Sequence, residues 1–239
     1  MASYRKVAFL DTNALHFVDL YLREAGERKL FPFGGGEAEA YSHLDGSTEG
    51  KPREALTKGL NAVAYLLRGG VRVEYSVIAE LEMMAGRARG RALERAAAEG
   101  IPERMWTRFS ENETSGRLLT HDLIQIRHSV EKIGPTLEAA GIDASVADAS
   151  RTRDALELAK DVAAAVYMSM ADCVIYASAL VAEADELLSA DHYLRKTVNR
   201  LKDNSMQDTR QQLQRRVAAI RSGPLRPLPA ARKIPKRKL

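Results

Sequence analysis

Short apolar runs alternate with longer stretches of helical periodicity along this chain. Apolar runs at residues 7–10 and 187–190 each end in an aspartate, and residues 71–75 alternate apolar with polar side chains. Short apolar runs are typical of buried parallel strands, which have helices on both faces. The pattern therefore predicts an α/β fold, a three-layer α/β/α domain with a central, mostly parallel sheet.

Turn residues and capping residues set the predicted boundaries. The expected elements are a strand at 5–11, a helix at 14–25 capped by Asn13, a loop at 31–53, a helix at 53–67, a strand at 71–75, a helix that Ser76 caps, a helical insertion at about 90–160, a helix at 162–182, a strand at 187–191 and helices to 221. Asn and Ser are favoured caps, and the glycines at 69 and 70 are a stop signal. Residues 1–221 are thus predicted to form one domain.

Residues 222–239 differ from the rest of the chain. They contain four prolines. Residues 221–239 contain seven Lys or Arg residues and no Asp or Glu. The rest has 29 basic and 32 acidic residues, a net charge of −3. Such a composition predicts an extended or disordered basic tail. We also find no clear strand after Asp191.

One apolar stretch is long enough to span a bilayer. Residues 162–182 contain a single charged side chain, Asp172. A central aspartate costs roughly 2.5–3.5 kcal/mol on insertion scales, so a core helix is favoured over a membrane span. The lone Cys173 excludes an intramolecular disulfide and suits a reducing compartment. No signal peptide fits the N-terminus, so we expect a cytoplasmic protein without membrane contact.

Four acidic residues stand out as candidate chemistry. Asp11 and Asp191 follow apolar strands, where a parallel sheet presents its carboxyl edge to ligands. Glu80 lies early in the helix after the second strand, and Asp172 lies in the middle of an otherwise uncharged helix. An unpaired carboxylate inside a core is costly, so Asp172 needs a cation or strong hydrogen bonds.

Structural roles compete with this interpretation. Asp11 could cap a helix, although Asn13 is available for that role. Asp172 could hydrogen-bond a helix end. Glu82 rivals Glu80, because both flank the apolar face of their helix, and the choice of Glu80 rests on its position nearer the strand end.

Together, the four acids point to a metal site. Clustered carboxylates repel one another, and a divalent cation neutralises them. Oxygen ligands suit hard cations, so we expect Mg²⁺ or Mn²⁺ bound by Asp11, Glu80, Asp172 and Asp191.

These residues resemble the PIN domain family. The resemblance lies in Asp-Thr-Asn after the first strand, a glutamate after the second, Ala-Asp in a helix and Leu-Leu-Ser-Ala-Asp at 187–191. It implies a metal-dependent endoribonuclease that leaves 5′-phosphate ends, with the four acids as catalytic residues and with Thr12, Asn13 and Ser189 at accessory polar positions. Since the family includes VapC-type toxins, it also implies an RNA substrate, with an inhibitory antitoxin and a homodimer as further partners to test.

Basic residues outside the acidic set are candidates for contacts with nucleic acid. They are Arg87, Arg89, Arg91, Lys233, Lys236, Arg237 and Lys238. Lys and Arg bind the phosphate backbone, but a solvated helix face explains the three arginines equally well.

Two other functions are open at this stage. One is a non-catalytic module that binds RNA or protein on the same fold. The other is a phosphatase with Asp11 as nucleophile, but phosphatases of the haloacid dehalogenase type need Asp-x-Asp, and this chain has Asn13 at the second position.

Overall fold

A computed structural model describes residues 6–47, 51–106, 118–147 and 149–236. Its centre is a five-stranded sheet in the order β3-β2-β1-β4-β5, with every neighbouring pair parallel. The strands are β1 (Val7–Leu10), β2 (Arg72–Tyr75), β3 (Ala144–Val146), β4 (Glu186–Ser189) and β5 (Ala230–Lys233). The predicted three-layer α/β/α fold is confirmed.

Helices connect the strands and cover both faces of the sheet. They are α1 (Thr12–Arg28), α2 (Glu37–Ser47), α3 (Lys51–Gly69), α4 (Val77–Ala98), α5 (Thr120–Glu131), α6 (Ile133–Ala139), α7 (Ala149–Ala165), α8 (Met170–Val181), α9 (His192–Arg200) and α10 (Gln207–Arg221). Single 3₁₀ turns lie at Glu103–Met105 and Asn204–Met206.

The alternation of side chains along the strands divides the core into two halves. In β1, Ala8 and Leu10 pack with α1, α3 and α6, whereas Phe9 packs on the other face with α7, α8 and α9. Successive side chains of a strand point to opposite faces, so a run of four apolar residues supplies both halves. Full burial of an aliphatic or aromatic side chain contributes about 1.5–3 kcal/mol. The need to fill both halves of the core explains why β1 is apolar throughout and why Leu187 and Leu188 form the middle of β4.

Three expectations about the elements were wrong. The predicted loop at 31–53 contains α2, and the predicted helical insertion at 90–160 includes the edge strand β3. The segment expected to be an extended or disordered tail contains β5, which pairs with β4 over four residues. Both β3 and β5 are edge strands. Edge strands tolerate polar and charged side chains, so they lack the apolar run of a central strand.

The predicted helix at 162–182 is two helices. α7 ends at Ala165 and α8 begins at Met170, after Ser169 has capped its N-terminus. Within the described ranges, no single helix is long and apolar enough to cross a membrane. Only the pair Arg151–Ala165 and Met170–Val181 meets that test together, and it is bent by 117°.

Candidate functional site

The carboxyl ends of β1 and β4 meet at the centre of the sheet. From β1 the chain passes to β2 and β3 on one side, whereas β4 and β5 extend the sheet on the other. Open α/β sheets form their ligand crevice where the strand order reverses in this way. Asp11 directly follows β1, and Asp191 follows β4 by two residues.

Asp11 is buried at the start of α1, with 2% of its surface exposed. Its Oδ1 accepts a hydrogen bond from the backbone N of Ala14 at 2.6 Å, and its Oδ2 accepts one from the Ser189 hydroxyl. Asp11 is therefore the cap of α1, whereas the predicted cap, Asn13, lies exposed within the first turn. The expectation failed because Asp11 already has the extended backbone conformation that a capping residue needs.

The surroundings of Asp11 favour its neutral form. The pKa of Asp11 is raised to about 6, chiefly by burial, and the charges of Asp191 and Asp172 contribute to the increase. The hydrogen bonds from Ser189 and Ala14 lower the pKa but do not offset the burial. Asp191 and Asp172 therefore lie close enough for their charges to influence Asp11.

Asp191 caps α9 with one carboxylate oxygen. Its Oδ1 accepts hydrogen bonds from the backbone N of Tyr193 at 2.6 Å and of Leu194 at 3.0 Å. The Ser189 hydroxyl accepts a hydrogen bond from the backbone N of Asp191 at 2.9 Å. Ser189 thus touches both Asp11 and Asp191. Within the described chain, Oδ2 of Asp191 makes no hydrogen bond, so it can accept a ligand.

Asp172 lies in the first turn of α8 and is half-buried. The expected position in the middle of a long buried helix was wrong, because Ser169 starts a new helix three residues earlier. The Ser169 hydroxyl donates to Oδ2 of Asp172 at 2.7 Å and accepts from its backbone N at 3.1 Å. A negative charge is favourable at the N-terminus of a helix. The hydroxyl of Ser169 and the helix N-terminus therefore supply the partners that the sequence-based argument assigned to a cation or strong hydrogen bonds.

The glutamate that reaches this crevice is Glu82. Its carboxylate accepts a hydrogen bond from the hydroxyl of Thr12, the neighbour of Asp11. Glu80 is on another side of α4, where burial and then the charge of Glu131 raise its pKa. The rival glutamate, Glu82, thus makes the contact beside Asp11 that the sequence-based choice expected near Glu80. Glu82 is one helical turn beyond Ile78, which packs against the core half that contains α8, but only the packing of α4 shows that this side of the helix reaches Thr12.

The predicted nucleic-acid-binding arginines are largely committed to structural contacts. Arg87 pairs with the buried Asp19 and donates to the Ser129 hydroxyl, and Arg91 binds Asp122 at 3.1 Å. These contacts join α4 to α1 and α5, so neither guanidinium is free for a phosphate. Arg89 is exposed and forms no ion pair in the described part of the chain.

The basic tail residues have a different environment. Lys233 ends β5, and Lys236 follows it closely; both are exposed. Arg237 and Lys238, the other two predicted tail contacts, lie outside the described residues.

The crevice has the oxygen chemistry of a cation site without a complete ligand set. No group of three or more His, Cys, Asp or Glu side chains in the described ranges is gathered tightly enough to hold a metal ion as it stands. The charges of Asp172 and Asp191 nevertheless make ionisation of Asp11 unfavourable, and a bound cation would offset this repulsion. The donor set consists of carboxylates and hydroxyls, which fit Mg²⁺ or Mn²⁺ better than softer metals.

No protein-family model, curated protein or solved structure matches this chain significantly. The resemblance to the PIN family consequently rests on the short motifs alone.

Proposed function

We propose that this chain is a nuclease that hydrolyses RNA phosphodiester bonds with the help of Mg²⁺ or Mn²⁺. The observation that carries the proposal is the buried Asp11 at the reversal of strand order, bonded to Ser189 and influenced by the charges of Asp191 and Asp172. The PIN-like motifs around Asp11 and Asp191 support the same activity. Glu82, held by Thr12, replaces Glu80 as the fourth acid.

The residues of the crevice have two roles: some would bind the cation, and others position the carboxylates that bind it. Asp11, Asp172, Asp191 and Glu82 would hold the cation. When bound, it supplies activation of water and neutralisation of charge on the phosphate. Ser189 fixes the carboxylate of Asp11, and Thr12 fixes that of Glu82. Such positioning residues keep acidic oxygens oriented, and their loss typically costs 10–100-fold in metal affinity or activity.

An RNA cleavage assay tests the proposal directly. The purified protein is incubated with total RNA in Mg²⁺, in Mn²⁺ and in EDTA, and the cleaved ends are mapped by sequencing. We expect metal-dependent cleavage that leaves 5′-phosphates, and we expect Asp172→Asn to abolish it. The matched control is Asp208→Asn, which neutralises an exposed acid in the first turn of α10.

The assay also separates the alternatives. Metal-dependent cleavage that persists in Asp172→Asn would refute the assignment of the site. Absence of cleavage with retained RNA binding would favour the non-catalytic module. An inhibitory antitoxin and a homodimer remain predictions that follow only from the PIN-like motifs.

A further inference from the structure

A second feature adjoins the acidic crevice. A cleft with a volume of about 790 Å³ opens between α3 and the chain that leaves β5. One of its lining residues is Ala190, which directly precedes Asp191. The cleft therefore begins at the edge of the proposed catalytic site.

The cleft walls are strongly basic. Five cationic side chains line it, whereas only Asp45 and Glu54 supply negative charge; the five are Arg53, Lys58, Arg195, Lys233 and Lys236. The two acids are already paired, Asp45 with Arg53 and Glu54 with Lys58 at 2.7 Å. The cleft thus has a net positive charge of three.

The excess positive charge of the cleft comes from the segment that includes and follows β5 and from Arg195 of α9. Lys233 and Lys236 are exposed, and their side chains make no hydrogen bond or ion pair to any described residue, although the charge of Lys233 acts on Glu54. Arg195 donates from Nη1 to the backbone carbonyl of Ser189 at 2.8 Å. That bond holds a guanidinium beside the strand end that also positions Asp11.

A buried neutral donor is available in the same cleft. Asn61 is 9% exposed and lines the cleft from α3. Its Oδ1 accepts a hydrogen bond from the Tyr41 hydroxyl. The N–H groups of its side-chain amide can donate to an oxygen of a bound ligand.

We propose that this cleft binds the sugar-phosphate backbone of a single-stranded RNA whose scissile bond lies at the acidic crevice. The inference deepens the proposed nuclease function and rests on it. Cations placed beside a neutral donor suit phosphate and ribose oxygens. A single strand can follow a concave wall, which is the usual way in which positively charged grooves bind single-stranded nucleic acid. The cleft also offsets the repulsion between the acidic site and an RNA polyanion.

The test reverses charge in the cleft and measures RNA binding. The variant is Lys233→Glu with Lys236→Glu, and the matched control is Lys132→Glu with Lys160→Glu, two exposed lysines that do not line the cleft. Binding of a labelled single-stranded oligoribonucleotide is followed by fluorescence anisotropy in EDTA at several salt concentrations. We expect the cleft variant to weaken binding by about tenfold or more and to reduce the salt slope by about one to two units, since two phosphate contacts are lost. The control should keep the slope of the unmodified chain.

Cleavage kinetics separate this inference from the nuclease proposal. For an active enzyme, we expect the cleft variant to raise KM and to leave kcat nearly unchanged, because neither lysine touches the acids. Weakened binding without any cleavage by the unmodified chain would support the cleft and refute the nuclease. Unchanged KM in an active cleft variant would refute the cleft and leave the nuclease intact.

Two further outcomes are decisive. Lys236 lies beyond β5, so the single variant Lys236→Glu leaves the strand intact. This variant tests the cleft if the double variant fails to fold. If RNA affinity is unchanged in both variants while a polyglutamate peptide loses affinity, the cleft binds an acidic protein segment, and the RNA inference is overturned.

Discussion

At the scale of single residues, Asp11 caps α1 and is also a buried carboxylate whose negative charge is unfavourable. A residue that only caps a helix does not need to be buried or to have other acids nearby. Asp11 is buried, has Asp172 and Asp191 nearby, and has a pKa raised to about 6. This combination of burial and a specific set of charged neighbours is what distinguishes a functional carboxylate from a capping residue.

We predict that Asp11→Asn stabilises the metal-free protein while it abolishes cleavage. The folded-state pKa is above the ordinary value of 3.8, so the folded chain binds a proton more readily than the unfolded chain. Stability from this group is therefore lost as the pH rises from about 4 through about 6. Asparagine keeps an oxygen for the Ala14 amide and carries no charge, so the gain at neutral pH should be on the order of 1–3 kcal/mol.

Urea unfolding in EDTA at pH 4, 5 and 7.5 measures this effect. The difference in unfolding free energy between Asp11→Asn and the unmodified chain should increase with pH over this range. A variant that is equally destabilised at all three pH values would show that the charge of Asp11 carries no cost.

We predict that Glu82→Gln lowers cleavage by about 10–100-fold, whereas Glu80→Gln leaves it nearly unchanged. The reason is contact: Glu82 binds the Thr12 hydroxyl beside Asp11, and Glu80 is near Glu131 instead. Initial rates at saturating Mg²⁺ compare the two substitutions, which remove the same charge from the same helix. A larger loss in Glu80→Gln would contradict the placement of Glu82 in the site.

The sequence predicts these residues unequally. Asp11, Ser189 and Asp191 are predictable because each adjoins an apolar strand, and parallel strands bring their carboxyl ends to one edge. The choice between Glu80 and Glu82 cannot be predicted from the sequence, since both flank the apolar face of α4. It depends on how α4 lies against α1, which is a tertiary property.

At the scale of elements, local chemistry explains which boundaries were predictable. The central strands β1, β2 and β4 were predicted close to their positions, because their side chains pack on both faces of the sheet. The break between α7 and α8 was missed because residues 166–169 contain no Pro or Gly. A single hydroxyl, that of Ser169, supplies the helix start.

We predict that Ser169→Ala destabilises the protein by about 0.5–2 kcal/mol, as the loss of an N-cap does. It should also lower cleavage, because Ser169 holds the carboxylate of Asp172 as well as its backbone N. Ser169→Thr keeps the hydroxyl and should retain both properties. Thermal unfolding and initial cleavage rates would be measured on the same preparations. Equal activity of the alanine and threonine variants would show that Ser169 caps the helix but does not position Asp172 for cleavage.

At the scale of the whole molecule, β5 makes the basic segment part of the sheet. Ala231 is 4% exposed and packs in the core half that contains Phe9 and α8. Deletion of residues 222–239 would therefore remove a sheet strand, and charge substitutions are the suitable probe of RNA binding by this segment.

We predict that Ala231→Asp strongly lowers the melting temperature, whereas Lys233→Ala does not. The aspartate would place an unpaired charge in the core, at a cost of several kcal/mol. Lys233 is exposed on the same strand, so its loss removes little packing. A melting temperature that is unchanged in Ala231→Asp would indicate that residues 230–233 do not form a strand in solution.

The position of β4 in the sheet has a consequence for the synthesis of this protein. β1 is made first, yet its partner on one side is residues 186–188, which are made after most of the chain. Contacts so distant in sequence form late, when the intervening chain is complete. A nascent chain on the ribosome thus cannot assemble the acidic crevice before Asp191 is translated. Prematurely terminated products that lack β4 would leave one side of the central strand β1 unpaired and would lack the proposed hydrolytic activity.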